Sequence, residues 1–153
     1  MNHDTFSGKP GLLVSSCLLG NCCKYNGGHN LCPEVTALAE HFSLIPFCPE
    51  QAGGLPTPRT PAERRGIQVL TQDGRDVTEH YRLGAELALR ATLEHDLHIA
   101  VLKARSPSCG CGMIYDGSFS GTQVPGYGVT AELLLQHGIT VYTEETLPEE
   151  IPV

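Results

Sequence analysis

The chain has seven cysteines, yet nowhere do two of them stand in a Cys-x-x-Cys pair. That absence makes zinc ribbons, thioredoxin-like redox pairs and ordinary ferredoxin runs poor fits, since each draws two sulfurs from one tight turn. No apolar run approaches the roughly 20 residues that a membrane helix needs, so no membrane partner is expected. Positive charge is also scarce: 10 Lys and Arg stand against 17 Asp and Glu, a formal net charge of -7. Such a balance argues against a basic face for a duplex, and makes long nucleic acid the least expected partner. The histidines show no metal-ligand pairing at helical spacing, and no internal repeat appears.

What is present is the composition of a globular protein, with 41% apolar and 18% charged residues over 153 positions. That length buries a core without disulfides. The expectation is one domain over residues 1–153, with a core at about 11–143 and an acidic, proline-containing tail at 144–153 that straps the surface or frays. An odd number of cysteines suggests thiols that are free or metal-bound, in the reducing cytoplasm. Ser15-Ser16-Cys17 superficially resembles a lipoprotein cleavage site, but Asp4 and a single Lys9 make a poor positive leader. Arg59, Arg64, Arg65, Lys103 and Arg105 read as solvated surface charge.

Gly11–Ser15 reads as the first strand, and Val35, Leu38 and Ala39 give Glu34–His41 helical spacing. Leu44–Cys48 is strand-like, with Pro46 demoting it toward a sheet edge. Residues 49–62 are proline-rich and irregular, a segment that folds over something. Ile67–Leu70 and Arg75–Val77 flank Asp73-Gly74 as a small hairpin. A helix is expected over Tyr81–Glu94, started by the Asp76–Glu79 segment, with Leu83, Leu87 and Ala91 four apart and Glu86–Arg90 as a supporting pair. Ile99–Leu102 reads as a buried strand, followed by a long loop from Ala104 to Gly128 that a short apolar piece at 112–115 interrupts. Thr130–Gln136 is the last helix, closed by Gly138, and Ile139–Tyr142 the last strand. This order predicts an α/β fold with a mainly parallel sheet and helices on both faces.

Cys17, Cys48 and Cys109 each follow a strand-like run and open a loop, so a parallel sheet brings them to one edge. Three thiolates suit zinc, cuprous copper or an iron–sulfur cluster, and three ligands leave one metal position open. The alternative is three small buried hydrophobes at strand ends. Cys22, Cys23, Cys32 and Cys111 are further candidates for a fourth ligand, although the neighbours Cys22 and Cys23 cannot easily face one site. Glu50 shares the loop of Cys48 and is placed for proton transfer. Ser106 and Ser108 precede Cys109 and offer hydroxyls, or simply form its turn. Residues 126–131 have the letters of a dinucleotide fingerprint but follow Pro125 rather than a strand. A tight turn with amides aimed at a small polar ligand is the expectation there.

Taken together, Ser16-Cys17-Leu18-Leu19-Gly20, Tyr25-Asn26-Gly27-Gly28, Phe47-Cys48-Pro49-Glu50, Gly53–Arg59, Ser106–Gly110, Tyr115–Phe119 and Gly126–Ala131 resemble the thiouracil desulfidase family over nearly the whole chain. The resemblance implies a single Rossmann-like, three-layer domain holding a 4Fe-4S cluster by three cysteines, here Cys17, Cys48 and Cys109. It implies catalytic roles for Glu50 and Ser106, with Ser108 the alternative hydroxyl, and substrate contacts at Tyr25, Lys103, Ser108, Gly126 and Gly128. The implied reaction removes sulfur from a thiolated pyrimidine, 4-thiouracil or 2-thiouracil, giving uracil and hydrosulfide by hydrolysis without net electron transfer. Iron–sulfur assembly machinery is then an implied partner. One departure is visible: an arginine usually precedes the tyrosine of the first loop, and here Cys22-Cys23-Lys24 precede Tyr25. Two other classes remain: a non-catalytic metal-binding regulator, and a persulfide sulfurtransferase with Cys109 as nucleophile.

Overall fold

A computed structural model describes residues 9–152. Strand β1 (Gly11–Ser15) and strand β5 (Ile99–Leu102) are apolar at nearly every position and buried along their length, as strands covered on both faces must be. They form the centre of a four-stranded sheet in the order β2-β1-β5-β8, with β2 at Ser43–Phe47 and β8 at Thr140–Thr143. Every pairing in this sheet is parallel. Pro46 sits in β2, at the sheet edge, where its missing N–H costs no ladder bond.

Because side chains alternate along a strand, the two central strands supply both cores. Leu12, Val14, Ile99 and Val101 point to one face, joined by Val35 of helix α1 (Pro33–Thr36) and by Phe42. A 3-10 turn at Ala37–Glu40 continues α1, so the expected single helix is split into two tight turns. Leu13, Ala100 and Leu102 point to the other face, against Ala88, Ala131 and Leu134. Those belong to the two long helices, α3 (Thr78–Glu94) and α4 (Val129–Gln136), for α2 is the single turn Pro49–Ala52. The result is a three-layer α/β arrangement. Among the described residues no helix is long and apolar enough to cross a membrane.

Several expectations change in detail. An unexpected hairpin pairs β3 (Ala62–Arg65) with β4 (Gln68–Thr71) around Gly66. The expected turn at Asp73-Gly74 also forms, in a shorter pairing: the Thr71 and Val77 amides donate to the carbonyls of Arg75 and Val69 on either side of an isolated antiparallel bridge, Leu70 to Asp76. The segment 104–128 is more than a loop, since β6 (Cys111–Tyr115) and β7 (Gln123–Tyr127) form an antiparallel ribbon within it. Helix α3 buries Tyr81, Gly84, Ala85, Ala88 and Thr92, whereas Leu83 is exposed. Small residues let α3 and α4 approach closely, so the Leu spacing marks the wrong face. The ion pair on α3 joins Arg82 to Glu79 at 3.4 Å. The acidic tail straps rather than frays through its described part: Ile151 is buried and Leu147 packs beside it.

Candidate active site at the carboxyl edge of the sheet

Each central crossing delivers one thiol. Strand β1 runs directly into a 3-10 turn, Ser16–Leu19, which contains Cys17, and Gly20 ends that turn in the left-handed region that favours glycine. Strand β2 ends one residue before Cys48, the residue that opens α2. After β5 the chain reaches Cys109 through a serine turn: the Ser106 hydroxyl oxygen accepts the amides of Ser108 at 3.0 Å and Cys109 at 3.1 Å. All three thiols line one cavity of about 530 Å³, together with Glu50, Ser106, Lys103 and Tyr25. Ser106 keeps its own O–H hydrogen free to donate.

Two residues hold Glu50. Its Oε1 accepts the Tyr81 hydroxyl at 2.7 Å and the Arg59 Nε–H at 3.1 Å. Burial, with the Glu50 charge added, pushes the Tyr81 phenol well above its ordinary value, so it stays a donor. The Arg59 side chain is 7% exposed and also donates to the carbonyl of Cys23 at 2.8 Å, while its backbone amide donates to the Tyr25 carbonyl at 2.6 Å. Solvated charge is therefore the wrong description of Arg59. Lys103 lines the cavity too, but its ammonium pairs with Glu144 at 2.8 Å. Arg64 pairs with Glu132 at 2.7 Å, Arg105 with Glu145 at 2.5 Å, and Arg65 donates to the Gly117 carbonyl at 2.9 Å.

Three expected substrate contacts lie elsewhere. Ser108 is fully buried, and its hydroxyl meets that of Thr130 at 2.9 Å. The Gly128 amide donates to the Gly110 carbonyl at 2.8 Å, and a Cβ at Gly128 would stand 2.3 Å from the Ser108 carbonyl carbon. Gly126 lies within β7, packed on Ile114. Amides of Val129 and Thr130 donate to Pro107 and Ser108 at 2.9 and 2.8 Å. The expected anion-facing turn is thus a joint: the loop bearing Cys109 caps the amino end of α4.

Of the four further candidate cysteines, Cys23 is the one at the cavity. Cys22 is exposed, whereas Cys23 is buried and lines the cavity. Hydrogen bonding to the Cys23 thiol, which outweighs burial, draws the Cys17 thiol down to about 7, with Asn30 Nδ2 adding a bond of 3.4 Å to the sulfur. The same thiol draws Cys48 down to about 7, and Cys23 itself is correspondingly pushed up. Burial instead pushes Cys109 up to about 12, against a bond from the Ser15 hydroxyl at 3.5 Å. A buried, protonated thiol is a poor nucleophile, which weakens the sulfurtransferase alternative.

Among the described residues no group of three His, Cys, Asp or Glu side chains is arranged to hold a single metal ion. A cubane takes each thiolate on a different iron, and Cys17, Cys48 and Cys109 around one cavity suit that chemistry.

The sequence model of the 2-thiouracil desulfurase family matches residues 12–146. The chain belongs to that family. A relative from Bacillus subtilis (strain 168), the uncharacterized protein YbbK, is 42% identical over 146 residues, covering 89% of this chain and 97% of the relative. Among solved structures, one described as the 4Fe-4S-dependent thiouracil desulfidase TudS shares 48% identity with a TM-score of 0.87, covering 92% of this chain and 95% of that one. As a member of the desulfurase family, the chain carries its matched segment across all four strands of the parallel sheet except Gly11, and across every cavity-lining thiol.

Proposed function

We propose that the protein is a cluster-dependent desulfidase that hydrolyses a thiolated pyrimidine, 4-thiouracil foremost and 2-thiouracil next, to uracil and hydrosulfide. The observation that carries this reading is one cavity lined by Cys17, Cys48, Cys109, Glu50 and Ser106. Cys17, Cys48 and Cys109 are the residues that would hold a 4Fe-4S cluster. Bound there, it supplies a soft Lewis acid with an open position, which prefers a thiocarbonyl sulfur to a carbonyl oxygen.

The chain's own residues handle the protons. Glu50, fixed by Arg59 and Tyr81, takes a proton from the attacking water, and Ser106 donates its hydroxyl hydrogen toward the ring as carbon exchanges sulfur for oxygen. Tyr25 lines the cavity, half exposed, and offers the pyrimidine a ring face. The fold acts as one domain in a reducing cytoplasm, and assembly machinery delivers the cluster.

The test is anaerobic reconstitution, iron and sulfide counting, and incubation with 4-thiouracil and 2-thiouracil while following the loss of thione absorbance. Oxygen-18 from labelled water should enter the uracil, and hydrosulfide should appear in equal amount. Glu50→Gln should keep its iron and lose about a hundredfold or more in turnover. Iron-loaded protein that leaves every thiopyrimidine intact overturns the proposal.

A further inference from the structure

Strand β1 is apolar from Leu12 to Val14 and then ends on a serine that is 3% exposed. Packing alone asks for a small apolar residue there, because a buried hydroxyl costs stability unless its oxygen and its hydrogen both find partners. Ser15 has both. The pairing of β1 with β5 ends at Val14 with Val101, and the Lys103 amide, just past β5, donates to Ser15 Oγ at 3.0 Å. A hydroxyl carries a single hydrogen, and that of Ser15 is directed at the Cys109 sulfur at 3.5 Å. Cys109 is itself buried, and both residues line the cavity. The Ser106 turn fixes the Cys109 backbone, while Ser15 reaches the sulfur from the centre of the sheet. Cys17 also receives a side-chain donor, Asn30 at 3.4 Å, but from a half-buried residue.

We infer that Ser15 is a positioning residue of this centre, whose O–H donates to the Cys109 sulfur and offsets part of its charge when that sulfur ligates iron. The inference rests on the cluster reading above, in which Cys109 is one of three ligands. A ligating thiolate has lone pairs and no proton, so toward Ser15 it can only accept, and the bond to a charged acceptor is stronger than one to a neutral thiol. Hydrogen bonds to ligand sulfurs are among the features that set the reduction potential of an iron–sulfur centre, since they favour the state with more negative charge. The plainer role, an acceptor for the Lys103 amide, uses the oxygen alone and gives the hydrogen no consequence.

The experiment uses two matched pairs of reconstituted protein. Wild type and Ser15→Ala differ by one hydroxyl, and Ser15→Thr and Ser15→Val differ by the same group at nearly constant shape, so the second pair gives the comparison again should alanine impair loading. Iron and sulfide are counted first, and the reduction potential is then read by a titration followed by electron paramagnetic resonance. In each pair the protein lacking the hydroxyl should have the more negative potential and lose iron to a chelator several-fold faster. Ser15→Thr should stay near wild type. Melting of the cluster-free proteins should fall in both hydroxyl-free variants, because the Lys103 amide loses its acceptor, and a purely structural serine would show that change alone. Equal potentials within both pairs therefore overturn the donor role and leave the desulfidase proposal standing. Wild type that takes up no iron and sulfide overturns both.

Discussion

At the scale of residues, the centre depends on how one carboxylate is held. Glu50 takes two donors, one from a buried phenol and one from a buried guanidinium. Tyr81→Phe removes a single hydroxyl with almost no change of shape, and a hydrogen bond to a charged group is worth about 1.5–3 kcal/mol. Turnover of 4-thiouracil should fall about tenfold or more, with KM and cluster iron unchanged, in steady-state assays. Arg59→Lys keeps a charge but loses the fork that joins Glu50 to the Cys23 carbonyl and the Thr57 hydroxyl. It should lower both turnover and melting temperature, measured on the same preparation. Cys17, Cys48 and Glu50 were legible as neighbours because each follows closely on a strand end, whereas Ser106 and Cys109 lie further along the loop after β5 and reach the cavity through its serine turn. Arg59, Tyr81 and the choice of Cys23 over Cys22 were not legible, because they reach the cavity only through loop and helix packing.

At the scale of elements, the turn that carries Glu50 rests on α3 backbone to backbone. A Cβ at Gly84 would stand 2.0 Å from the Pro49 carbonyl oxygen, and one at Gly53 equally close to that of His80. Gly84→Ala should therefore push α2 off α3, costing about 1–3 kcal/mol in urea unfolding and lowering turnover because Glu50 moves. The start of α3 has a pH signature. Asp76 accepts the Thr78 hydroxyl at 2.5 Å and its amide at 2.9 Å, which hold the carboxyl below its ordinary value of 3.8. A lowered pKa contributes stability above the unfolded value and loses it as pH falls through the folded one. Asp76→Ala should melt below wild type at neutral pH, with the gap closing below pH 3.8. The helix itself was legible from its turn residues. Its buried face was not, since Gly84, Ala85 and Ala88 bury by closeness of approach rather than by size.

At the scale of the whole molecule, three parallel crossings bring residues 17, 48 and 109 to one cavity, and a ligand that binds only this arrangement stabilises it by linkage. Cluster-loaded protein should melt above cluster-free protein in anaerobic calorimetry, and chelation should erase the difference. Local physics sufficed for the central strands, for Pro46 at an edge, and for Gly138 ending α4 with a positive φ of 80°. Each follows from the apolar pattern or the backbone freedom of a few neighbouring residues. Only the tertiary structure decided that Gly126 and Gly128 serve packing, that Arg59 lies inside, and that Cys23 rather than Cys22 lines the cavity. Those outcomes depend on contacts between segments tens of residues apart, whose relative placement the crossovers set and no local pattern encodes.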